Sequence, residues 1–492
     1  MNKDIIEEVT AYIEGTRDLF IDVSDSIWDF AETRFEEVES ADLLCKTLEQ
    51  EGFAVEKGVA GLATGFVGSF GNGSPVIAVL GEFDALASLS QQAGTAAFDP
   101  VVPGANGHGC GHNLLGAGSL AAAFAVKNYL QQHGLSGTVR YYGCPAEESG
   151  SGKAYMARAG LFQDVDVAFC WHPATMNVVM HMSSLANLHV HFKFAGRSAH
   201  AAAAPHLGRS ALDAVELMNV GVNYLREHMI SDARIHYAVT NTGGFAPNVV
   251  QAEAEVNYLV RAPKSAQVAE LFERVLDVAR GAALMTGTKM SYHYEGGASN
   301  LIPNAALEGK MHEFLSELEL PVYTEDEMAF AQEIFAMIPE EDKTSASRQS
   351  GKTVHDMLSA RPLAGFVAPL MDTMRVMPAS TDVGDVSWNV PTAQCGTATW
   401  AYATPIHAWQ TVAQGKSSYA HKGMLLAGKA MACTAIAALL DPALIEQAKA
   451  ELAERLEGES YVCPFPDDVL PPKLSFSSKA VAAASEQTPV KV

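Results

Sequence analysis

The chain has 492 residues, 48% hydrophobic and 18% charged, the balance of a globular protein with room for two domains and a large core. Its 33 basic and 57 acidic residues leave a formal charge of -24. That excludes a broad basic face for nucleic acid, and any anionic substrate needs a local cationic pocket. Seven cysteines, Cys45, Cys110, Cys144, Cys170, Cys395, Cys433 and Cys463, form no CxxC pair. An odd number in a long chain points to a reducing compartment rather than a disulfide framework. The first residues show no basic-then-apolar signal, and no run of eighteen apolar residues occurs. The expectation is a cytoplasmic protein without a membrane span.

In chain order, residues 4–52 read as helix, with Ile5, Val9, Ile13, Leu19, Val23 and Ile27 near helical spacing. Val76 to Leu80 is a continuous apolar run of strand length, and Thr138 to Tyr142 and Val165 to Phe169 look alike. A helix at about 113–133 lies between the first two. Strands alternating with helices imply an α/β core. Near residue 185 the pattern changes. Leu188 to Phe194 alternates, a helix follows at about 209–229, then strands at 234–241 and 249–260, a helix at 264–287 and a strand at Met290 to Tyr294. The order βαββαβ is that of a ferredoxin-like sandwich, inserted because α/β character resumes after residue 300. Residues 320–375 read as acidic and irregular. Structure is expected again at 396–404 and 420–440, and a flexible tail from Pro471.

The chemistry concentrates at strand ends. Asn106-Gly107-His108-Gly109-Cys110-Gly111-His112-Asn113 places a thiol and two imidazoles in one glycine loop. Thiolate and neutral imidazole both bind borderline divalent metals, and Gly111 lets Cys110 and His112 turn toward one ion. Cys144-Pro145-Ala146-Glu147-Glu148 follows an apolar strand, where open α/β sheets place their sites. One glutamate can ligate while its neighbour takes a proton from water. His172 and His407 both stand at strand ends. His421 reads as the first turn of a helix, and His108 as a residue outside the ligand set. Ser350-Gly351-Lys352-Thr353 lacks the leading glycine of a phosphate loop, and no GxSxG or GxGxxG occurs in the right context.

These residues, with the segments Trp28-Asp29 and Thr33 to Glu37, Gly107 to Gly116, Tyr142 to Lys153, Pro205 to Val215, Asn248 to Pro263, Ser380 to Trp388 and Ala420 to Leu426, resemble the M20 family of metallopeptidases and amidohydrolases. The resemblance covers nearly the whole chain. The Cys-Gly-His signature is similar to the aminoacyl-amidohydrolase branch, in which a cysteine bridges two metals. The fold class implied is α/β, a mixed-sheet catalytic domain over residues 1–184 and 299–470. A ferredoxin-like lid and dimerisation domain is inserted at 185–298, and the tail is 471–492. The resemblance implies Cys110, His112, Glu148, His172 and His407 as ligands of two divalent ions, Mn²⁺ or Zn²⁺, with Glu147 as the base. It implies that His200 stabilises the oxyanion, reaching the site of a partner chain, and that Asn248 and Arg261 bind substrate. Asp84 would stand behind a ligand. The implied substrate is a small acyl-glutamate, and the implied partner is a second copy or a homologous chain, with no nucleic acid and no membrane. Other readings remain open: a different N-acyl-amino acid amidohydrolase or dipeptidase, a largely structural member of a hetero-oligomer, or a structural zinc protein. The branch has Asp after the second ligand where this chain has Asn113, which puts details from other subgroups in doubt.

Overall fold

The computed structural model describes residues 2–148, 150–371 and 373–473, so the expected tail lies outside the described residues from 474 onward. Three helices open the chain, α1 (Asn2–Gly15), α2 (Arg17–Phe30) and α3 (Val38–Gln50). The expected continuous helix over 4–52 is thus corrected at residues 31–37. Ala31 adopts a left-handed φ of 43° and donates its N–H to the carbonyl of Ile27, closing α2. The loop beyond is held from elsewhere. Ala85 N–H donates to Glu32 O, and buried Glu37 accepts from the Thr64 hydroxyl and the Ala146 N–H. Tertiary contacts override a helical pattern that the apolar spacing continues through.

The first half of the core follows as β1 (Ala54–Lys57), β2 (Phe66–Asn72), β3 (Val76–Glu82), α4 (His112–His133), β4 (Gly137–Cys144), α5 (Gly152–Arg158) and β5 (Val167–Ala174), with short β6 (Val178–Val179) and β7 (Met182–Ser184). Every residue of β3 is buried, as its unbroken apolar run requires of a strand covered on both faces.

A separate antiparallel sheet comes next: β8 (Ala186–Ala195), α6 (Ala211–Leu225), β9 (Arg234–Asn241), β10 (Glu253–Ala262), α7 (Ser265–Thr286) and β11 (Lys289–Ala298). Its strand order is β11-β8-β10-β9, the ferredoxin-like arrangement read from the sequence. Alternation sorts the faces of β8. Leu188, Val190, Phe192 and Phe194 pack with Val215 and Met218 of α6 and Phe272 and Val275 of α7. Each contributes on the order of 1.5–3 kcal/mol by leaving water. Asn187, His189, His191 and Lys193 take the other face.

The chain then forms α8 (Ala305–Glu317), α9 (Glu325–Met337), α10 (Glu340–Ser350) and α11 (Lys352–Ala360). The expectation of an irregular segment over 320–375 is corrected by three helices. α10 buries no residue, so it carries no apolar stripe to read. α9 did carry a signal: Thr324 and Glu327 form a reciprocal capping box. After β12 (Arg375–Met377), which pairs in parallel with β7, come α12 (Val383–Ser387), β13 (Thr392–Ala398), α13 (Trp409–Gln414), α14 (Ser418–Leu440) and α15 (Pro442–Leu456).

The main sheet has the order β1-β2-β4-β3-β5-β13-β6. Its centre, β4-β3-β5-β13, is parallel, and the flanking strands run antiparallel. No uninterrupted apolar run exists, yet α14 is long and apolar enough to cross a bilayer by length and composition. In this fold 83% of its most apolar window is buried. It packs against α4, where a side chain at Gly428 would approach the Gly118 carbonyl to 3.0 Å, a close crossing that a residue without a Cβ makes without displacement. None of the seven cysteines is paired.

Candidate metal centre

The site forms where the parallel strands end. β3 delivers Glu82 and then Asp84, β4 leads through Pro145 and Ala146 to Glu147 and Glu148, and β5 carries His172 near its end. The loop after β13 brings His407, whose N–H donates to Gly109 O at 2.8 Å. The glycine loop supplies Cys110 and, as the first residue of α4, His112. Gly111 between them has a φ of +73°, and a Cβ there would meet the Trp400 ring at 2.8 Å and Pro173 at 3.0 Å. Only glycine both takes that backbone turn and clears those rings.

Three donor groups result: Glu82, His112 and Glu147 form one, and two others pass through Cys110. Sγ of Cys110 lies with ring nitrogens of His112 and His172, and again with Glu148 and His407; within each group the donor atoms stand no more than 4.8 Å apart. Cys110 belongs to both of these. Its Sγ is 3.4 Å from His172 Nε2, and His407 Nε2 is 3.1 Å from Glu148 Oε1. The outer contacts aim the donors inward. His112 Nδ1 meets Asp84 Oδ1 at 2.8 Å, His172 Nδ1 meets the Pro173 carbonyl at 2.8 Å, and Asp84 Oδ2 accepts the Glu148 N–H at 2.8 Å. The inward atoms His112 Nε2 and Glu148 Oε1 are buried and make no hydrogen bond of good geometry. Buried polar atoms in folded proteins as a rule find partners, and a thiol, imidazole and carboxylate set with orphaned inward atoms fits a pair of borderline divalent cations.

The electrostatics divide the two glutamates. Burial, and then the charges of Glu82 and Glu148, push the Glu147 carboxyl well above the usual range. Glu148 is also buried, but the adjacent His407 imidazole and the charge of His112 outweigh that and hold it at about 2. One is thus a permanent carboxylate and the other a group that holds a proton readily. His108 is in none of these donor groups. Its Nε2 lies 2.9 Å from Ile27 O, and burial together with His112 pulls it down to about 3, so its ring is neutral. Asn113 donates to Ser24 Oγ at 3.1 Å and to Gly415 O at 3.2 Å, so its role here is to tie α4 to its surroundings. His421 stands in the first turn of α14 against Asp25 at 2.8 Å, apart from the donors.

A cavity of about 240 Å³ opens over the centre, lined by Glu147, Glu148 and His407 on one side and by His189, Arg261 and Ser380 on the other. Arg261 Nη1 donates to Ser380 Oγ at 2.9 Å, and its Nε is buried without a partner. It places a cation in the cavity that Glu147 and Glu148 also line. His200 and Asn248 are not brought to this cavity. They sit together at the exposed tip of the lid, where Ala201 N–H donates to Asn248 O at 2.9 Å and His200 Nδ1 accepts from the N–H groups of Ala202 and Ala203.

Sequence reasoning missed a buried charge cluster behind the donors. Lys153 Nζ lies 2.7 Å from Glu82 and 2.6 Å from Asp382, all three side chains being almost wholly enclosed, and Glu82 Oε2 is 3.3 Å from His112 Nε2. Glu82 was visible as a strand-end acid two residues before Asp84. Nothing local marks Lys153, since a lysine after a glycine loop reads as solvated.

A sequence profile described as peptidase family M20/M25/M40 matches residues 78–355. One of the p-aminobenzoyl-glutamate hydrolase subunits of Escherichia coli K12 is 48% identical over 96% of this chain and 100% of its own. Another subunit of the hydrolase of that name, from the same organism, is 27% identical over 56% of this chain and 68% of its own. Among solved structures, a dinuclear metal binding peptidase of the M20 family from Bacillus subtilis superimposes with a TM-score of 0.53 at 17% identity, over 87% of this chain and 99% of that one, which shows a shared fold. With a profile that spans more than half the chain and a relative that matches end to end, this chain belongs to peptidase family M20/M25/M40 and is a hydrolase of that family.

Proposed function

We propose that the chain hydrolyses the amide bond of p-aminobenzoyl-glutamate, releasing p-aminobenzoate and glutamate. The observation that carries this is the pair of donor groups joined at Cys110, with Glu147 beside them and Arg261 across the same cavity. The end-to-end likeness to a protein named for hydrolysis of that compound supports the choice of acyl group. The reading divides the chain into a catalytic part, residues 1–184 and 299–470, and an inserted lid, residues 185–298, built on the two separate sheets.

Cys110, His112 and His172 would hold one ion and Cys110, Glu148 and His407 the other, Mn²⁺ or Zn²⁺ by their donor chemistry. When bound, the ions supply Lewis-acid activation of water and of the scissile carbonyl. Glu147 takes a proton from the attacking water through its carboxylate and returns it to the departing nitrogen. The charge of His112 opposes the push that burial exerts on Glu147, which favours its doing both. Arg261 pairs with the glutamate carboxylate, with its Nε free of other partners. His200 and Asn248, exposed and outside this chain's own cavity, serve the cavity of a second chain, either another copy or a homologue. The location proposed is the cytoplasm.

The test is p-aminobenzoate release by the purified chain, with and without a chelator, against a panel of acyl-glutamates and other acyl-amino acids. Chelator-sensitive release with preference for p-aminobenzoyl-glutamate supports the reading. Faster turnover of other acyl-amino acids or of dipeptides replaces it with the wider family activity. A chain that is inactive until a homologous chain is added supports the heteromeric form.

A further inference from the structure

A second set of metal donors lies on the lid. His189 and His191 stand two residues apart on β8 and share the face turned away from α6 and α7. Glu295 comes from the neighbouring β11. The pairing there shifts register: Tyr294 opposes Val190 and Gly296 opposes His189, so Glu295 is the extra residue of a β-bulge. Bulges re-aim a side chain, and this one carries the Glu295 carboxylate to the two imidazoles. Nε2 of His191 contacts Glu295 Oε2, and Nε2 of His189 lies 3.6 Å from the same oxygen. The three donor atoms lie within 4.8 Å of one another. The edge of a tetrahedron built on Zn–N and Zn–O bonds is about 3.3 Å, close to the 3.6 Å between His189 Nε2 and Glu295 Oε2.

The surroundings match a ligand set. His191 Nδ1 lies 2.9 Å from Glu255 Oε1, an outer carboxylate of the sort that orients a ligating imidazole and raises its basicity. Arg34 bonds the other oxygen of Glu295, Oε1, and leaves Oε2 to the histidines. His293 stacks on His191 at 4.8 Å and steadies its plane without joining the donors.

We propose that His189, His191 and Glu295 form an auxiliary divalent-cation site, with Zn²⁺ favoured by two imidazoles and a carboxylate, distinct from the centre at Cys110. An ion there adds positive charge to the cavity that His189 shares with Arg261 and Glu147. Through Arg34 it also ties the lid to the loop whose Glu37 holds Ala146, next to the base.

Equilibrium dialysis of the full chain against Zn²⁺, followed by metal analysis, tests the site. His191→Ala and Glu295→Gln should each bind one ion per chain fewer than the unaltered chain. Equal stoichiometry in the unaltered chain and a folded Glu295→Gln variant overturns the proposal. If His191→Ala does not fold, the near-isosteric Glu295→Gln decides. Zinc-loaded crystals of the unaltered chain give a check without mutation: an anomalous peak among the three side chains supports the site, and density with no peak there overturns it. An empty centre at Cys110 leaves the lid count untouched, so the two readings fail separately.

Discussion

The strand-end centre and the tip of the lid carry residues of the same kinds, yet the fold treats them oppositely. Cys110, His112, Glu148 and His172 are enclosed, aimed by Asp84 and Pro173, and assembled with the loop of His407 from separate stretches of one chain. His200 and Asn248 are exposed, hydrogen-bonded to their own loop and outside the cavity. The candidate donors thus come together within one chain, while His200 and Asn248, to which the proposed function gives the oxyanion and the carbonyl, stand away from them. The donors that need fixed distances stand on rigid strand ends, while His200 and Asn248 stand in exposed loops.

The largest effect should fall on the base. Glu147→Gln keeps both donor groups that pass through Cys110, so metal content should be unchanged while kcat falls by about 10²–10⁴, the scale of lost general acid–base catalysis. Turnover near that of the unaltered chain would break the division of labour between Glu147 and Glu148.

The next test asks whether the lid tip serves another chain. His200→Ala and Glu147→Gln should each be inactive alone. Mixed, unfolded together and refolded, they should recover activity, because one chain then offers an intact base and the other an intact lid tip. Mixed assemblies that form yet stay inactive would place His200 in its own chain's site and erase the contrast.

Lys153→Met probes the rigidity of the first region. It leaves Glu82 and Asp382 buried without their cation, and removing one partner of a buried ion cluster costs about 3–5 kcal/mol. Chemical denaturation should show that loss. Unchanged stability would mean that the cluster does not support the donors from behind.

The smallest effect concerns the junction of the two regions. Asp385 holds Ser299, just beyond β11, through the Ser299 N–H at 3.1 Å and its hydroxyl at 2.8 Å. Burial pushes its carboxyl from 3.8 up to about 7, against the hydrogen bonds from Ser299. The folded chain therefore binds this proton more tightly than the unfolded chain. Its contribution to stability is complete below about pH 4 and is lost as pH rises toward 7. Asp385→Asn should flatten the stability profile across that window, measured as Tm against pH.

Much of this was legible in the residues. Unbroken apolar runs marked β3 and β5, and period-two alternation on β8 separated Leu188 from His189, because each pattern reports burial directly. The donors were legible because thiol, imidazole and carboxylate at strand ends have few other uses, although their remoteness in sequence required the family resemblance to join them. The break at 31–37 was not legible, since it depends on Ala85, Thr64 and Ala146 reaching in from elsewhere. α10 was not legible either, because a helix that buries nothing has no stripe. The Lys153 cluster and the bulge at Glu295 are products of packing and register, which local spacing does not encode.

At the centre of the molecule stands the claim of a two-ion site bridged by one thiolate. Anomalous diffraction from crystals loaded with Mn²⁺ or Zn²⁺ tests it most directly. Two peaks should share Cys110 Sγ, one with His112 and His172 and the other with Glu148 and His407. A single peak, or peaks that do not touch Cys110, would contradict it.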